Sequence, residues 1–400
     1  MNEVKIEKLD NTGRGICYIN DKITFVENAL PGEIVDINII KESKKYNEAI
    51  VTKYIKKSSI RVDSICPYYN DCGGCNLLHL SYDNTIKYKK EKIESILFKY
   101  ANYNNEVELI KSPEYLNYRN KITLKVENNN IGYYKTKTHD IVTINECKLA
   151  QPSINNFIKD IHYLNVSDGE IIIRSNYNNE LLIHIKSNDN ITPDITSIKQ
   201  NHKLVGIVLN DKVLYGEPSF IEIINKQLFT VSYDSFFQIN RDVCSIIFDL
   251  ILDEINENDT ILDLYCGVGT LGINACQKAS KAYGIEIVKN AILNAITNSK
   301  INKRNNIYYM LGDVSKNITK IKDNIDTIIV DPPRAGLDNI TKDTIINFSP
   351  NKIIYVSCDP MTLARDLKEL SEYYNIIKVK ALDMFPYTEH IETFCVLEKI

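Results

Sequence analysis

Along the first 57 residues apolar and polar positions alternate in short runs broken by turn signals. Residues 4–8, 23–26, 34–40 and 49–55 read as strands, with Gly13-Arg14-Gly15 and Leu30-Pro31-Gly32 as turns between them. That spacing predicts a small β-barrel. Between 84 and 100 the period lengthens, placing Ile86, Ile93, Ile96 and Leu97 on one face and Lys87, Lys89, Lys90 and Lys92 on the other, which predicts an amphipathic helix. Short strands return at 121–127 and 131–134, across an Asn129-Asn130 turn, and at 169–174, 181–185 and 204–209. From about residue 230 strand and helix alternate, and the strands 260–264, 282–285, 307–311, 327–330, 353–356 and 393–398 predict a doubly wound α/β sheet. The run at 353–356 delivers Cys358 to a strand C-terminal edge, where such sheets carry out their chemistry. Asp359-Pro360 is expected to break that strand and prevent immediate helix entry.

These patterns divide the 400 residues into three expected domains: 1–57, 58–225 and 226–400. No run of 18 apolar residues exists and 1–10 alternates charge with apolar residues, so neither a membrane span nor a signal peptide is expected; the chain reads as soluble and cytoplasmic. The net charge of −4 argues against a globally basic nucleic-acid binder. The halves differ, however, with 23 Lys and Arg against 20 Asp and Glu in residues 1–150, and 25 against 32 in the rest, which directs any RNA contact towards the N-terminal half. There Lys41, Lys44, Lys45, Lys53, Lys56 and Lys57 interleave with Tyr46 and Tyr54, a combination that can track phosphates and stack bases. Further on, Tyr118-Arg119-Asn120-Lys121 sets an aromatic ring beside two cations, which suits a nucleotide contact as well as a solvated hairpin face.

Ten cysteines in such a chain suggest thiols, metal ligands or catalysts rather than a disulfide framework. Cys66, Cys72 and Cys75 form a C-x5-C-x2-C array with a Gly73-Gly74 bend, spacing that suits metal ligation. A fourth ligand is needed, and Cys147 is the nearest remaining cysteine outside the C-terminal half. Four cysteines fit zinc as well as an iron–sulfur cluster.

The strand 260–264 runs into Asp263-Leu264-Tyr265-Cys266-Gly267-Val268-Gly269-Thr270-Leu271-Gly272, whose glycines match G-x-G-x-x-G and on spacing alone admit a nicotinamide cofactor. The neighbouring carboxylates favour another ligand. Asp263 stands where pyrophosphate would sit and suits a sulfonium with its ammonium; Glu286 is placed for two ribose hydroxyls and Asp313 for an adenine edge. That order points to S-adenosylmethionine (SAM). Asp331-Pro332-Pro333-Arg334 follows the fourth strand, and Arg334 stands where base-amino methylases carry an aromatic ring, leaving a carbon target. C5 of uracil becomes nucleophilic when a thiolate adds to C6, and a base must afterwards remove the C5 proton. Cys358 suits the first role and Glu392 the second, on a nucleotide extruded from its stack.

Taken together, Gly13–Gly15 and Leu30-Pro31-Gly32-Glu33, the Cys66/Cys72/Cys75 array, Phe236-Phe237-Gln238-Ile239-Asn240, the DLYCGVGTLG turn, DPPRAG at 331–336, SCDPMTLARDL at 357–367 and His390-Ile391-Glu392 resemble the RNA uridine C5-methyltransferases, in particular their iron–sulfur 23S rRNA branch. The resemblance spans nearly the whole chain. It implies an N-terminal TRAM-like barrel that binds RNA, a central α+β domain carrying a [4Fe-4S] cluster on Cys66, Cys72, Cys75 and Cys147, and a class I SAM-methyltransferase domain. It further implies SAM contacts from Gln238, Tyr265, Glu286, Asp313 and Asp331, packing of Phe236 near the target base, Cys358 as nucleophile, Glu392 as base, and a monomer with no obligate protein partner. Asp359 departs from the family, which often has Asn there. Three alternatives stay open: the same reaction on the T-loop uridine of tRNA, an RNA-binding cluster protein with a vestigial methyltransferase domain, and cytosine C5 methylation. The last usually needs a second cysteine where this chain has Pro333-Arg334.

Overall fold

The computed structural model describes residues 2–400, the side chain of Asn2 excepted. The chain divides into two compact units, one running through Lys92 with 134–140 and 385–389, the other comprising 93–133, 141–384 and 390–400.

In the first unit a six-stranded sheet has the order Asn2–Lys5, Ile34–Glu42, Tyr46–Lys56, Lys22–Glu27, Gly15–Ile19, Lys8–Leu9. Its interior is closed by Ile6, Cys17, Val26, Ala29, Val35, Ile37 and Ala49. The strand Gly15–Ile19 begins on the last residue of the expected turn and covers residues to which the sequence pattern assigns no strand. Gly13, at φ +83°, makes that turn, whereas Gly15 is a packing glycine: a Cβ there would stand 2.8 Å from Ile6 and 2.9 Å from Ala29. Tyr54, expected to offer a stacking ring, is instead occupied within the unit, its hydroxyl donating to Asn28 O at 2.9 Å and Arg61 lying 4.6 Å over its ring. Arg61 also pairs with the fully buried Glu33 at 2.5 Å, anchoring the 30–33 turn. The predicted helix is present as Tyr82–Ala101.

The second unit holds two sheets and a hairpin. A seven-stranded sheet has the order Ile141–Thr143, Asn130–Tyr134, Lys121–Glu127, Gly169–Ser175, Leu181–Lys186, Leu204–Leu209, Lys212–Gly216. Asn128 and Asn129, at φ 51° and 64°, make the tight turn one residue earlier than expected. The α/β sheet has the order Ile307–Leu311, Lys281–Glu286, Thr260–Leu264, Thr327–Val330, Lys352–Ser357, Glu392–Lys399, Tyr374–Leu382, Glu108–Ile110. Its first five strands are parallel and lie at the sheet's centre and one side, and their near-continuous apolar runs follow from burial on both faces. Ile353, Ile354, Tyr355 and Val356 are at most 1% exposed, and each such side chain contributes about 1.5–3 kcal/mol on burial.

At the end of Lys352–Ser357 the expectation about Asp359-Pro360 is corrected. The helix Pro360–Leu370 begins at once, with Asp359 as its N-cap accepting from Met361 N at 2.9 Å and Thr362 N at 3.0 Å. Proline fits the first helical turn because its missing N–H would have no partner there. Cys358 therefore sits at a strand-to-helix corner.

Candidate active site

The register of the α/β sheet assembles the site. Ser357 pairs with Thr393 in the antiparallel ladder, so one step further Cys358 stands opposite Glu392, the first residue of Glu392–Lys399. On the other side Val330 pairs with Tyr355, which places Asp331 at the same edge. Cys358 is half-buried and Glu392 is 2% exposed.

Burial pushes the carboxyls of Glu392 and Asp331 well above the ordinary range, and for Glu392 the Asp331 charge adds to the shift. Burial, followed by the fields of Glu392 and Asp331, drives the Cys358 thiol up to about 11. Arg334, with its positive charge, acts in the opposite direction. The sequence shows Arg334 only as a missing aromatic ring; its effect on the thiol depends on how the 331–337 turn folds. That turn is held by the helix after Cys358: Thr362 Oγ1 donates to Arg334 O at 3.1 Å, Arg365 to Ala335 O at 2.9 Å, and Asp366 accepts from Leu337 N at 2.8 Å.

The glycine turn after Thr260–Leu264 is fixed from below by Asp263, whose Oδ2 accepts from Gly272 N at 2.8 Å. Its Oδ1 is buried without a hydrogen-bond partner among the described residues, and burial raises the carboxyl to about 8, with the Asp331 and Glu286 charges adding to the shift. Glu286 ends the next strand and accepts from Gly267 N at 3.1 Å and Val288 N at 2.8 Å. Gly267, at φ +55°, has nothing within 4 Å of where a Cβ would stand, so open space lies beside the Glu286 carboxylate. Three carboxyls close enough for the charges of Asp331 and Glu286 to act on Asp263, beside the glycine turn, suit a cationic nucleoside such as SAM. Tyr265 adopts φ 63° and its hydroxyl lies 3.3 Å from Thr341 Oγ1. Asp313 is exposed and caps the short helix Val314–Asn317, the Ser315 hydroxyl holding its carboxyl low. Gln238 is half-buried in the 235–239 segment, its main-chain oxygen accepting from Asn120 Nδ2 at 3.0 Å, and beside it Phe236 stands 72% exposed. Asn240, conspicuous in sequence only as part of a motif, is buried and bonds Ser112 Oγ at 3.0 Å, Met384 O at 3.3 Å and, as N-cap, Val243 N.

Cys66, Cys72 and Cys75 lie in a tight series of turns in the first unit. Gly74 N donates to Cys72 Sγ at 3.4 Å, the kind of amide donation a thiolate ligand receives, and a Cβ on Gly73 would press within 3.1 Å of Tyr134 O. Cys147 belongs to the second unit, where Asn155 holds its backbone N–H at 2.8 Å. Among the described residues no group of three or more His, Cys, Asp or Glu side chains is arranged to hold a metal ion.

A doubly wound parallel sheet with a glycine turn after Thr260–Leu264 and a glutamate ending the neighbouring strand is the fold of a SAM-dependent methyltransferase. Residues 81–400 match the tRNA (uracil-5-)-methyltransferase family, and residues 2–52 match the TRAM domain. The chain belongs to the tRNA (uracil-5-)-methyltransferase family and is a SAM-dependent RNA uracil-C5 methyltransferase. It is 32% identical to an RNA methyltransferase of Halalkalibacterium halodurans, described as uncharacterized, over 99% of this chain and 96% of that one. A similar relative in Fusobacterium nucleatum is 34% identical, covering 99% and 95%. Among solved structures, the Pyrococcus abyssi tRNA (uracil-54, C5)-methyltransferase in complex with S-adenosyl-L-homocysteine has a TM-score of 0.83 at 25% identity, covering 99% of this chain and all of that one. No helix among the described residues is long and apolar enough to cross a membrane.

Proposed function

We propose that the protein methylates C5 of a uridine in 23S rRNA through a covalent adduct on Cys358. The observation that carries this reading is the Ser357–Thr393 pairing, which brings Cys358 and Glu392 to one edge of the sheet, where the charges of Glu392, Asp331 and Arg334 all act on the thiol. The Cys358 thiolate adds to C6, forming the Sγ–C6 bond and moving an electron pair towards C5. SAM, when bound, supplies an electrophilic methyl group on its sulfonium. C5 would take that methyl group, its bond to the sulfonium sulfur breaking to leave the neutral thioether; Glu392 then takes the C5 proton, the C5–C6 double bond reforms and the Sγ–C6 bond breaks, restoring the Cys358 thiolate. Gln238, Tyr265, Glu286, Asp313 and Asp331 would hold SAM, and the exposed Phe236 ring would stack near the extruded base.

We assign RNA holding to 1–57, a central domain to 58–225 and the chemistry to 226–400. Within the central domain, Cys66, Cys72, Cys75 and Cys147 would ligate a [4Fe-4S] cluster with a structural role, an assignment checked by iron and sulfide content after anaerobic purification of wild type and Cys75→Ala. Two equivalent preparations without iron would overturn it.

A second reading, the same reaction on a tRNA uridine, is favoured by the end-to-end match to the Pyrococcus abyssi tRNA enzyme. Incubation with labelled SAM and either unmodified 23S rRNA or tRNA transcripts, beside Cys358→Ala, separates the two. Label in 5-methyluridine from rRNA, absent with the variant, supports the first reading; label from tRNA alone selects the second; label in neither sinks both.

A further inference from the structure

In the seven-stranded sheet Lys121 pairs directly with Arg174 across an antiparallel ladder, so the two cations share one face. Like charges opposite one another destabilise a sheet. Arg174 is 4% exposed and donates to Ser235 O, yet its Nε is buried with no hydrogen-bond partner among the described residues. Burial lowers its guanidinium to about 10, with only the Asp234 charge opposing the shift. Lys121 Nζ has no hydrogen bond or ion pair among the described residues. Burial, then repulsion from Arg174 and Lys186, brings it down to about 8. The contrast within the same face is decisive: Lys125 is paired with Glu170, and Lys186 reaches the same carboxylate at 3.9 Å. Compensation therefore stops at the Lys121–Arg174 pair.

This pair also supports the 235–239 segment. Arg174 holds Ser235 O, Asn120 N donates to Ile239 O at 3.1 Å, and Asn120 Nδ2 donates to Gln238 O, all flanking the exposed Phe236. Asp234 acts on Arg174 through its charge, but among the described residues no carboxylate forms an ion pair with Arg174 or Lys121. Backbone phosphate supplies an anion adjacent to every base, and desolvated Arg and Lys donors bind it more strongly than solvated ones.

We infer that Lys121 and Arg174 form a phosphate-binding site beside Phe236, taking one phosphodiester of the RNA strand that presents the uridine. The inference rests on the proposed function for the identity of that strand, and on the sheet register alone for the anion.

Two measurements test it, with Lys125→Gln as the control that removes one compensated charge from the same strand. In the first, melting temperature is followed with inorganic phosphate against chloride at equal ionic strength. Phosphate should raise the wild type and Lys125→Gln but not Lys121→Gln, which without phosphate should melt no lower than wild type because repulsion is relieved. In the second, RNA affinity is measured against salt; Lys121→Gln should weaken binding about fivefold and reduce the slope of log K on log salt by about 0.7, one single-strand phosphate. Equal phosphate shifts in all proteins, or equal slopes for the two variants, would overturn the site. The phosphate arm needs no RNA. Wild-type protein that binds RNA with the expected slopes but transfers no methyl would sink the proposed reaction and leave this site standing.

Discussion

The charge of Arg334 acts on the Cys358 thiol in one direction, and the charges of Glu392 and Asp331 act on it in the other. One cation therefore works against two carboxylates for the protonation state of the nucleophile. Arg334→Gln removes the only one of these three groups that favours the thiolate. Alkylation of Cys358 by iodoacetamide, read as the modified peptide by mass spectrometry across pH 7–11, should then need a higher pH. At neutral pH it should slow about tenfold, the loss of thiolate expected if the thiol becomes about 1.4 kcal/mol harder to ionise. Unchanged alkylation with Arg334→Gln would detach this residue from the nucleophile.

The Glu392 and Asp331 carboxyls are raised, so the enclosed pair retains protons well above the range of ordinary carboxylates. A base must be deprotonated to act. Turnover should rise with pH as the pair ionises, and Glu392→Gln should lower it by about 10²–10⁴-fold while the Cys358–RNA adduct accumulates on denaturing gels. The stability effect has the sign of a raised acid: the folded state is favoured at low pH and loses that advantage as pH rises from the unfolded carboxyl value through the folded one. Glu392→Gln should flatten this dependence in urea titrations at pH 5 and 8.

Asp366 is fully buried and gathers Leu337 N, the Tyr355 hydroxyl at 2.8 Å and Arg365 at 2.8 Å, with Lys342 at 3.7 Å. Asp366→Ala leaves the 2%-exposed Lys342 with Glu369 and strands the Tyr355 hydroxyl. Urea unfolding should register a loss of about 3–5 kcal/mol.

Gly267 and Gly269 should separate folding from ligand binding. Gly269→Ala would force a Cβ to 2.6 Å from the Tyr309 hydroxyl at φ +85°, so both melting temperature and SAM affinity should fall. Gly267→Ala meets open space, so it should cost only about 1 kcal/mol of backbone strain while weakening SAM in calorimetry by much more than that strain explains.

The parallel strands were readable because burial on both faces leaves apolar runs such as Ile353-Ile354-Tyr355-Val356, and the turn after Thr260–Leu264 because its glycines admit few other conformations. Where sequence reasoning failed, local pattern competed with tertiary demand. Asp359-Pro360 reads as a breaker, but capping geometry makes the same pair a helix start. Gly15 reads as a turn until its neighbours are known. Tyr374–Leu382 alternates Lys378 and Lys380 with apolar residues near the sheet's edge, too mixed to resemble the central strands. The Lys121–Arg174 opposition joins residues far apart in the chain and required the register.

The outermost α/β strand, Glu108–Ile110, pairs in parallel with Tyr374–Leu382, from Lys380 opposite Glu108 to Leu382 opposite Ile110. A strand made early thus waits for a partner made near the end. At ribosomal speeds the wait is roughly 15–50 s, far longer than hairpin formation. Co-translational folding of the sheet therefore cannot be vectorial: its edge closes only after almost all the chain has emerged, and a fragment beginning at 226 would present Tyr374–Leu382 as a bare edge open to self-association.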